Sequence, residues 1–444
     1  MFLILFLVAA SLYGLLALCS PVLLLNYALL TGPIPWTLGS SELIQTPVGH
    51  MSISAMRLFG LWLAMFLVLA ARFSKVNKCL LHYKLHLLFL GFCLISMLWA
   101  PSLSYSLRML AKLSAPLLIM ILIMTVISSM RQLEMMERMV LASGIAAALL
   151  ALVTRWIGLN SDPRFTIPHT SPATFSAHIV AVSMFAMAGF AVTDKKLLRG
   201  MMIVAFSTIV LAAFTRITIV AMFIGFSAIL FLGGRGIGRI ILPMLSAASL
   251  PALFLLSPKF RNRMFIGGDE MSVERVVDDP EIAIGKIHGS GRFDAWEMVL
   301  HRFFEPSPFF GSGIGATQDF FYEQSVGGLG VIHSEYVRML SEIGILGLTL
   351  FVVVVLGYLW RLFRILRSRK RTDIRKYALA GTGGLTAYMI FIATDNGFDY
   401  VTQFGLYVFA FVAMAEKAKE LAEGTTDRTA VKTHRGHRLS MPLA

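Results

Sequence analysis

Apolar residues arrive in long runs separated by short polar segments. The runs fall near 2–25, 54–72, 85–100, 109–128, 139–157, 175–192, 200–215, 216–233, 240–256, 343–360, 377–394 and 401–415. Most approach the roughly 20 apolar residues a helix needs to cross a bilayer. A lone span in lipid must satisfy its backbone internally, so each run is read as a helix. The stretch 200–233 is too long for one span and holds a single charge, Arg216, near its middle. It is read as two short helices meeting at Thr215-Arg216. The pattern predicts an all-α, polytopic integral membrane protein with about twelve transmembrane helices. The run from Phe2 to Leu25 has no Lys or Arg ahead of it and is long for a signal segment, so it is expected to be a retained first helix.

The one long polar interruption divides the chain. Residues 1–256 are expected to form helices one to nine, 257–342 a long outward loop, 343–415 helices ten to twelve, and 416–444 a solvated, disordered tail. Within the loop, Phe293, Trp296, Val299, Leu300, Phe303 and Phe304 recur at helical spacing, with Asp294, Glu297 and His301 off that stripe. This predicts an amphipathic helix over 293–304 at the outer interface. Pro306 and Pro308 end it, Gly311-Ser-Gly-Ile-Gly315 makes a turn, and a second helix is expected from about Ser334 into the tenth span.

Composition sharpens the class. Of 444 residues, 57% are hydrophobic and only 14% charged, against about a quarter charged in soluble chains. A soluble enzyme, a disordered chain and a disulfide framework are poor fits. Cys19, Cys79 and Cys93 have neither disulfide nor zinc-ligand spacing and read as small hydrophobes. The formal charge of +14 would suggest nucleic acid as a partner in a soluble protein. Here its position explains it. Lys75, Lys78, Lys84, Arg131, Arg138, Lys195, Lys196, Arg199, Arg235, Arg239 and the run from Arg361 to Lys376 alternate with the loops 31–53, 101–107 and 395–400, which hold no Lys or Arg. The positive-inside rule then places both termini in the cytoplasm, and no nucleic acid is implied.

Three residues could carry chemistry. Arg216, at a helix end within an apolar stretch, is either a snorkelling arginine or a cation that a lipid-linked anion could reach. Arg292 follows Gly289-Ser290-Gly291, where glycines let backbone N–H groups approach an anion that the planar guanidinium binds; the alternative is a solvated loop arginine. His333, in Val331-Ile-His-Ser-Glu-Tyr336, could accept a proton from a hydroxyl, or simply cap a helix. There is no Walker loop, no HExxH pair, no G-x-S-x-G elbow and no carboxylate pair near a span that suggests a divalent metal.

The stretch Gly311-Ser-Gly-Ile-Gly315, followed by His333-Ser-Glu-Tyr-Val-Arg-Met-Leu-Ser-Glu-Ile-Gly344-Ile-Leu-Gly347, resembles the signature of the O-antigen ligase and polysaccharide polymerase family. Thr215-Arg216, Ser290-Gly291-Arg292 with Trp296, and Trp99-Ala-Pro-Ser-Leu-Ser-Tyr-Ser106 resemble further features of it. Ser334 stands where asparagine is usual, and Thr215 where serine is usual. The resemblance implies a GT-C-like glycosyltransferase in the bacterial inner membrane with one long periplasmic loop between helices nine and ten. Its donor would be a polyprenyl-diphosphate-linked oligosaccharide and its acceptor another glycan or lipid A-core, with no metal or other cofactor. Arg216 and Arg292 would hold the donor diphosphate and His333 would activate the acceptor hydroxyl, with inversion. A chain-length regulator or export complex would be a further partner. Nothing marks a lipid A-core acceptor, which leans the reading toward a polymerase. The rival reading is a twelve-span transporter or flippase. Its two halves should be related, and no such repeat is found.

Overall fold

In the computed structural model the apolar runs become helices. The structure describes residues 14–16, 18–32, 45–46, 49–50, 53–160, 162–168, 170–193, 196–234, 236–264, 289, 291–323, 331–368 and 371–438. Most of the first predicted run, Ser290, and the carboxylates between Asp269 and Glu281 lie outside them. The helices are α1 (Pro21–Leu30), α2 (Ile53–His82), α3 (Lys84–Ser96), α4 (Leu103–Val126), α5 (Met130–Trp156), α6 (Pro172–Val192), α7 (Lys196–Ala212), α8 (Arg216–Gly233), α9 (Gly238–Leu256), α10 (Pro258–Met264), α11 (Arg292–Val299), α12 (Ala316–Glu323), α13 (Glu335–Ser368), α14 (Thr372–Phe391) and α15 (Leu406–Arg438). Gln45–Thr46 pairs antiparallel with Gly49–His50.

Every predicted run from 54–72 onward falls on one of these helices. Among the described residues, six helices are long and apolar enough to cross a membrane: α2 from Leu58, α4, α5, α6, α8 and α13. The protein is thus a multi-pass membrane protein, largely helical. Local chemistry sets several starts. Ser129 and Ser171 accept backbone N–H bonds from Gln132 and Thr174 at the heads of α5 and α6, with Pro172 in the first turn of α6. The predicted break at Thr215-Arg216 is present: α7 stops at Ala212, Phe214 takes a left-handed φ of 51°, and Arg216 opens α8.

The core lies where α4, α6, α8, α14 and α15 meet, and α6 is almost entirely buried. α8 and α14 run antiparallel at close approach. A Cβ on Gly225 would stand 2.9 Å from the Gly383 carbonyl oxygen, and one on Gly383 would stand 2.5 Å from Ile229. Small residues at such a crossing let backbones pack directly, the usual device where lipid supplies no hydrophobic drive. His178 is fully buried in α6, beside Ser143 and the Gln403 carbonyl.

Basic residues gather at one end of the bundle. Glu137 pairs there with Arg199 and Lys376, while Glu416 accepts from Tyr83 and lies against His82 and Arg361. Arg72 and Lys417 donate to the Thr125 and Met124 carbonyls at the C-terminus of α4, where cations suit the helix dipole. Glu416, Lys417, Ala418 and Ala422 are buried within α15, because the Glu416 carboxylate has partners on α2 and α13 and at Tyr83 between α2 and α3.

Candidate active site

The site lies at the opposite end. Glu335, at the start of α13, and Arg361 are separated by roughly 39 Å of helix at about 1.5 Å per residue. It is built from three segments distant in sequence: α11, the turn before α13, and the loop 392–400 joining α14 to α15.

The glycine turn comes first because it fixes the rest. Gly311, Gly313 and Gly315 all have left-handed φ, at 71°, 92° and 87°. The N–H groups of Ser312, Gly313 and Gly315 turn toward α13, that of Gly311 bonds to the Ser307 carbonyl, and none of them faces an open anion cradle. Gly313 N donates to the Glu342 carbonyl and Gly315 N to the Glu342 carboxylate, both at 2.8 Å, and Thr317 donates to the same carboxylate. A Cβ on Gly313 would stand 2.4 Å from Ala100 Cα, and Ser106 Oγ donates to the Ile314 carbonyl at 2.6 Å. The Trp99–Ser106 segment and the glycine turn are therefore one packed unit. α13 kinks at Gly344, whose φ is 65°, and the Ile345 and Leu346 N–H groups bond to the Pro308 and Phe309 carbonyls.

The helix predicted over 293–304 is present as α11 and the turn that continues it. α11 ends at Val299, followed by a π-type turn over Leu300–Phe304. The buried face is Ala295 and Val299, packed with Phe320, Phe321 and Ile332, whereas Phe293 is exposed. Trp296, Val299 and Phe303 of the predicted stripe lie on this face, joined by Ala295, so α11 packs on α12 and the turn before α13. Trp296 Nε1 donates to the Ile332 carbonyl at 2.7 Å, tying α11 to the residue before His333.

His333 has a φ of 53°, and its side chain is about one-fifth exposed. Its backbone N–H donates to Asn396 Oδ1 at 2.9 Å; its Nδ1 lies 3.1 Å from Asn396 Nδ2 and 3.5 Å from Asp395 Oδ1. Arg292 Nη1 donates to the Thr394 carbonyl at 2.7 Å. Its Nε is buried with no hydrogen-bond partner among the described residues. The structure thus brings Arg292 and His333 onto the same three-residue stretch, 394–396. Arg216 shares this end. Gly225 packs on Gly383 and Gly233 on Leu379, so the antiparallel register carries Arg216 to the level of the C-terminus of α14. Phe260 of α10 stacks on Phe214 at 4.9 Å just ahead of Arg216.

Beneath the loop lies a buried charge layer. Arg338 approaches Glu335 at 3.0 Å and Asp399 at 3.1 Å, and Lys112 of α4 pairs with Asp399. Glu335 also accepts the Phe398 N–H at 2.8 Å and donates its own N–H to the Ile392 carbonyl. Burial pushes the Asp399 carboxyl up, but Lys112 and Arg338 beside it more than reverse this and hold it well below the usual carboxylate range. Among the described residues, no group of three or more His, Cys, Asp or Glu could hold a metal ion.

Sequence reasoning missed Asp395, Asn396, Asp399, Lys112, Glu335 and Arg338. The loop 395–400 was read only for its lack of cations. Its Asp-Asn-Gly-Phe-Asp run was the available signal, since the neighbouring outward loop 101–107 has no acid at all. Lys112 sits inside a run taken as a span, where an ionisable residue is a functional signal by default.

The fold and site define a polytopic membrane protein with a polar, cation-bearing centre at one helix end. Residues 201–352 match the O-antigen ligase family model, so the chain is similar to that family over this stretch. The match covers Arg216, Arg292 and His333 and stops short of the loop that holds Arg292 and His333. No curated protein matches the chain.

Proposed function

We propose that the protein is a membrane glycosyltransferase that moves a polyprenyl-diphosphate-linked glycan to an acceptor sugar hydroxyl, at the periplasmic face of the bacterial inner membrane. The observation that carries this reading is the convergence of Arg292 and His333 on residues 394–396, with Arg216 at the same end and the basic residues at the other. By the positive-inside rule the basic end is cytoplasmic, as are both termini, and the site faces the periplasm. The long loop between α9 and α13 lies on that side, and a GT-C-like arrangement of about twelve spans accommodates it.

The chemistry follows from the groups present. The acceptor oxygen attacks the anomeric carbon and loses its proton to His333. The bond from that carbon to the phosphate oxygen breaks with inversion, and polyprenyl diphosphate leaves. The leaving group gathers negative charge that fixed guanidinium donors stabilise best when water is excluded. Arg292 is suited to this because its Nε is buried within the site. Arg216, at the first turn of α8, adds its own charge to the positive end of that helix.

The test supplies full-length protein in nanodiscs with a polyprenyl-diphosphate oligosaccharide, together with either lipid A-core or excess donor. Chain growth shows a polymerase, and transfer to core shows a ligase. Absence of transfer to either, with donor crossing a vesicle bilayer instead, would replace this reading with a flippase.

A further inference from the structure

The proton on His333 is controlled by two adjacent residues. A backbone N–H can only donate, so the 2.9 Å contact from His333 N fixes Oδ1 as the Asn396 atom that faces it. The flipped amide would set two donors against each other. Asn396 Nδ2 must therefore face His333 Nδ1, at 3.1 Å. The amide nitrogen donates there, so Nδ1 accepts and the neutral ring carries its proton on Nε2.

That is the wrong tautomer for a base. To take a proton through Nε2, the ring needs its own proton on Nδ1. In that state the Asn396 amide opposes Nδ1–H, whereas Asp395 can accept it. Asp395 Oδ1 already lies 3.5 Å from Nδ1 and is held in place by the Asn396 N–H at 2.8 Å. The exchange needs only a small swing of the ring, because the His333 backbone stays pinned to Asn396. Both residues are almost wholly buried. The other charged groups packed on this loop are Arg292, through the Thr394 carbonyl; Glu335, through the Phe398 N–H; and Asp399 with Lys112 and Arg338.

We propose that Asp395 and Asn396 compete for His333 Nδ1 and so set its tautomer. Asn396 is a positioning residue that holds the Nε2–H form, and Asp395 holds the form able to act as a base. This rests on the glycosyl-transfer reading of His333.

The experiment compares wild type with Asp395→Asn, Asn396→Asp and the exchanged pair Asp395→Asn/Asn396→Asp, each as full-length protein in nanodiscs. Asp395→Asn should lower transfer by about 100-fold or more, since a neutral amide replaces the carboxylate that accepts Nδ1–H and stabilises the imidazolium formed when the ring takes a proton. Asn396→Asp keeps an acceptor for the His333 N–H and adds one for Nδ1–H. It should move the rising limb of the pH–rate profile to higher pH, by about half a unit or more. The exchanged pair should recover about tenfold or more of the activity lost in Asp395→Asn. A merely structural role predicts neither the shift nor the recovery. An exchanged pair no better than Asp395→Asn while equally monodisperse, or an unmoved pH limb in Asn396→Asp, would overturn the proposal.

A second readout needs no turnover. In ¹⁵N-histidine spectra, with His333 assigned by difference against His333→Gln, wild type should show a protonated Nε2 and Asn396→Asp a protonated Nδ1. Nδ1–H in wild type would sink the tautomer proposal even if transfer is observed. Nε2–H without any transfer would instead leave it standing and remove the glycosyltransferase reading.

Discussion

His333 combines a backbone conformation unusual for its residue type with two side-chain neighbours of opposite preference. Its left-handed φ costs on the order of 1–2 kcal/mol for a residue with a Cβ. The bond to Asn396 and the α13 start at Ser334, whose hydroxyl accepts the Val337 N–H, hold it there. His333→Ala should abolish transfer, by about 100-fold or more, while membrane abundance stays normal. Full activity in the variant would remove the base role. Arg292→Lys should raise the donor KM and restore only part of the activity lost in Arg292→Ala. An ammonium can reach Thr394 or the diphosphate, but it lacks the planar fork that reaches both. Equal activity of Lys and Arg at this position would show that charge alone matters.

Among the helices, the contact of α8 with α14 is the one most sensitive to volume. Gly383→Val would drive a side chain into Ile229 and toward the Gly225 carbonyl. It should cost about 1–3 kcal/mol, as overpacking typically does, and lower the apparent Tm in detergent. An unchanged Tm would mean that the two helices can separate freely. Gly344→Ala acts differently, because it places a Cβ 2.3 Å from the Phe309 carbonyl at a left-handed φ. It should straighten or displace the α13 kink and lower activity more than stability. The helices themselves were readable from apolar run lengths, and the α7/α8 break from a single arginine. The burial of Ala295 and the exposure of Phe293 were not, because the packed face is chosen by Phe320, Phe321 and Ile332, which the local spacing of 293–304 does not contain.

For the molecule as a whole, the decisive feature is separation: basic residues at one end, the site and its buried charge layer at the other. Asp399 is held below its ordinary range, so it contributes stability that is present above the unfolded aspartate value, near 4. That contribution is lost as pH falls from there through the depressed folded value. Asp399→Asn should therefore lower the Tm at neutral pH, by removing the partner of Lys112 and Arg338, and should flatten the acid limb of a Tm–pH series. A variant with the same Tm and the same acid limb would show that the layer contributes nothing. The sequence pointed to Arg216, Arg292 and His333 as candidates because each lies in a recognisable local pattern. It concealed Asp395, Asn396 and the Lys112–Asp399 pair, because only long-range packing brings these to the same place.

The loop between α14 and α15 also limits how the protein can be recombined. A chimera grafting residues 201–352 into a related scaffold would carry both arginines and the histidine, yet leave behind the carbonyl that Arg292 grips and the pair that governs the imidazole. Such a graft should insert and remain silent until residues 392–400 are transplanted with it. The smallest portable catalytic unit is therefore discontinuous, and two separately encoded pieces must travel together.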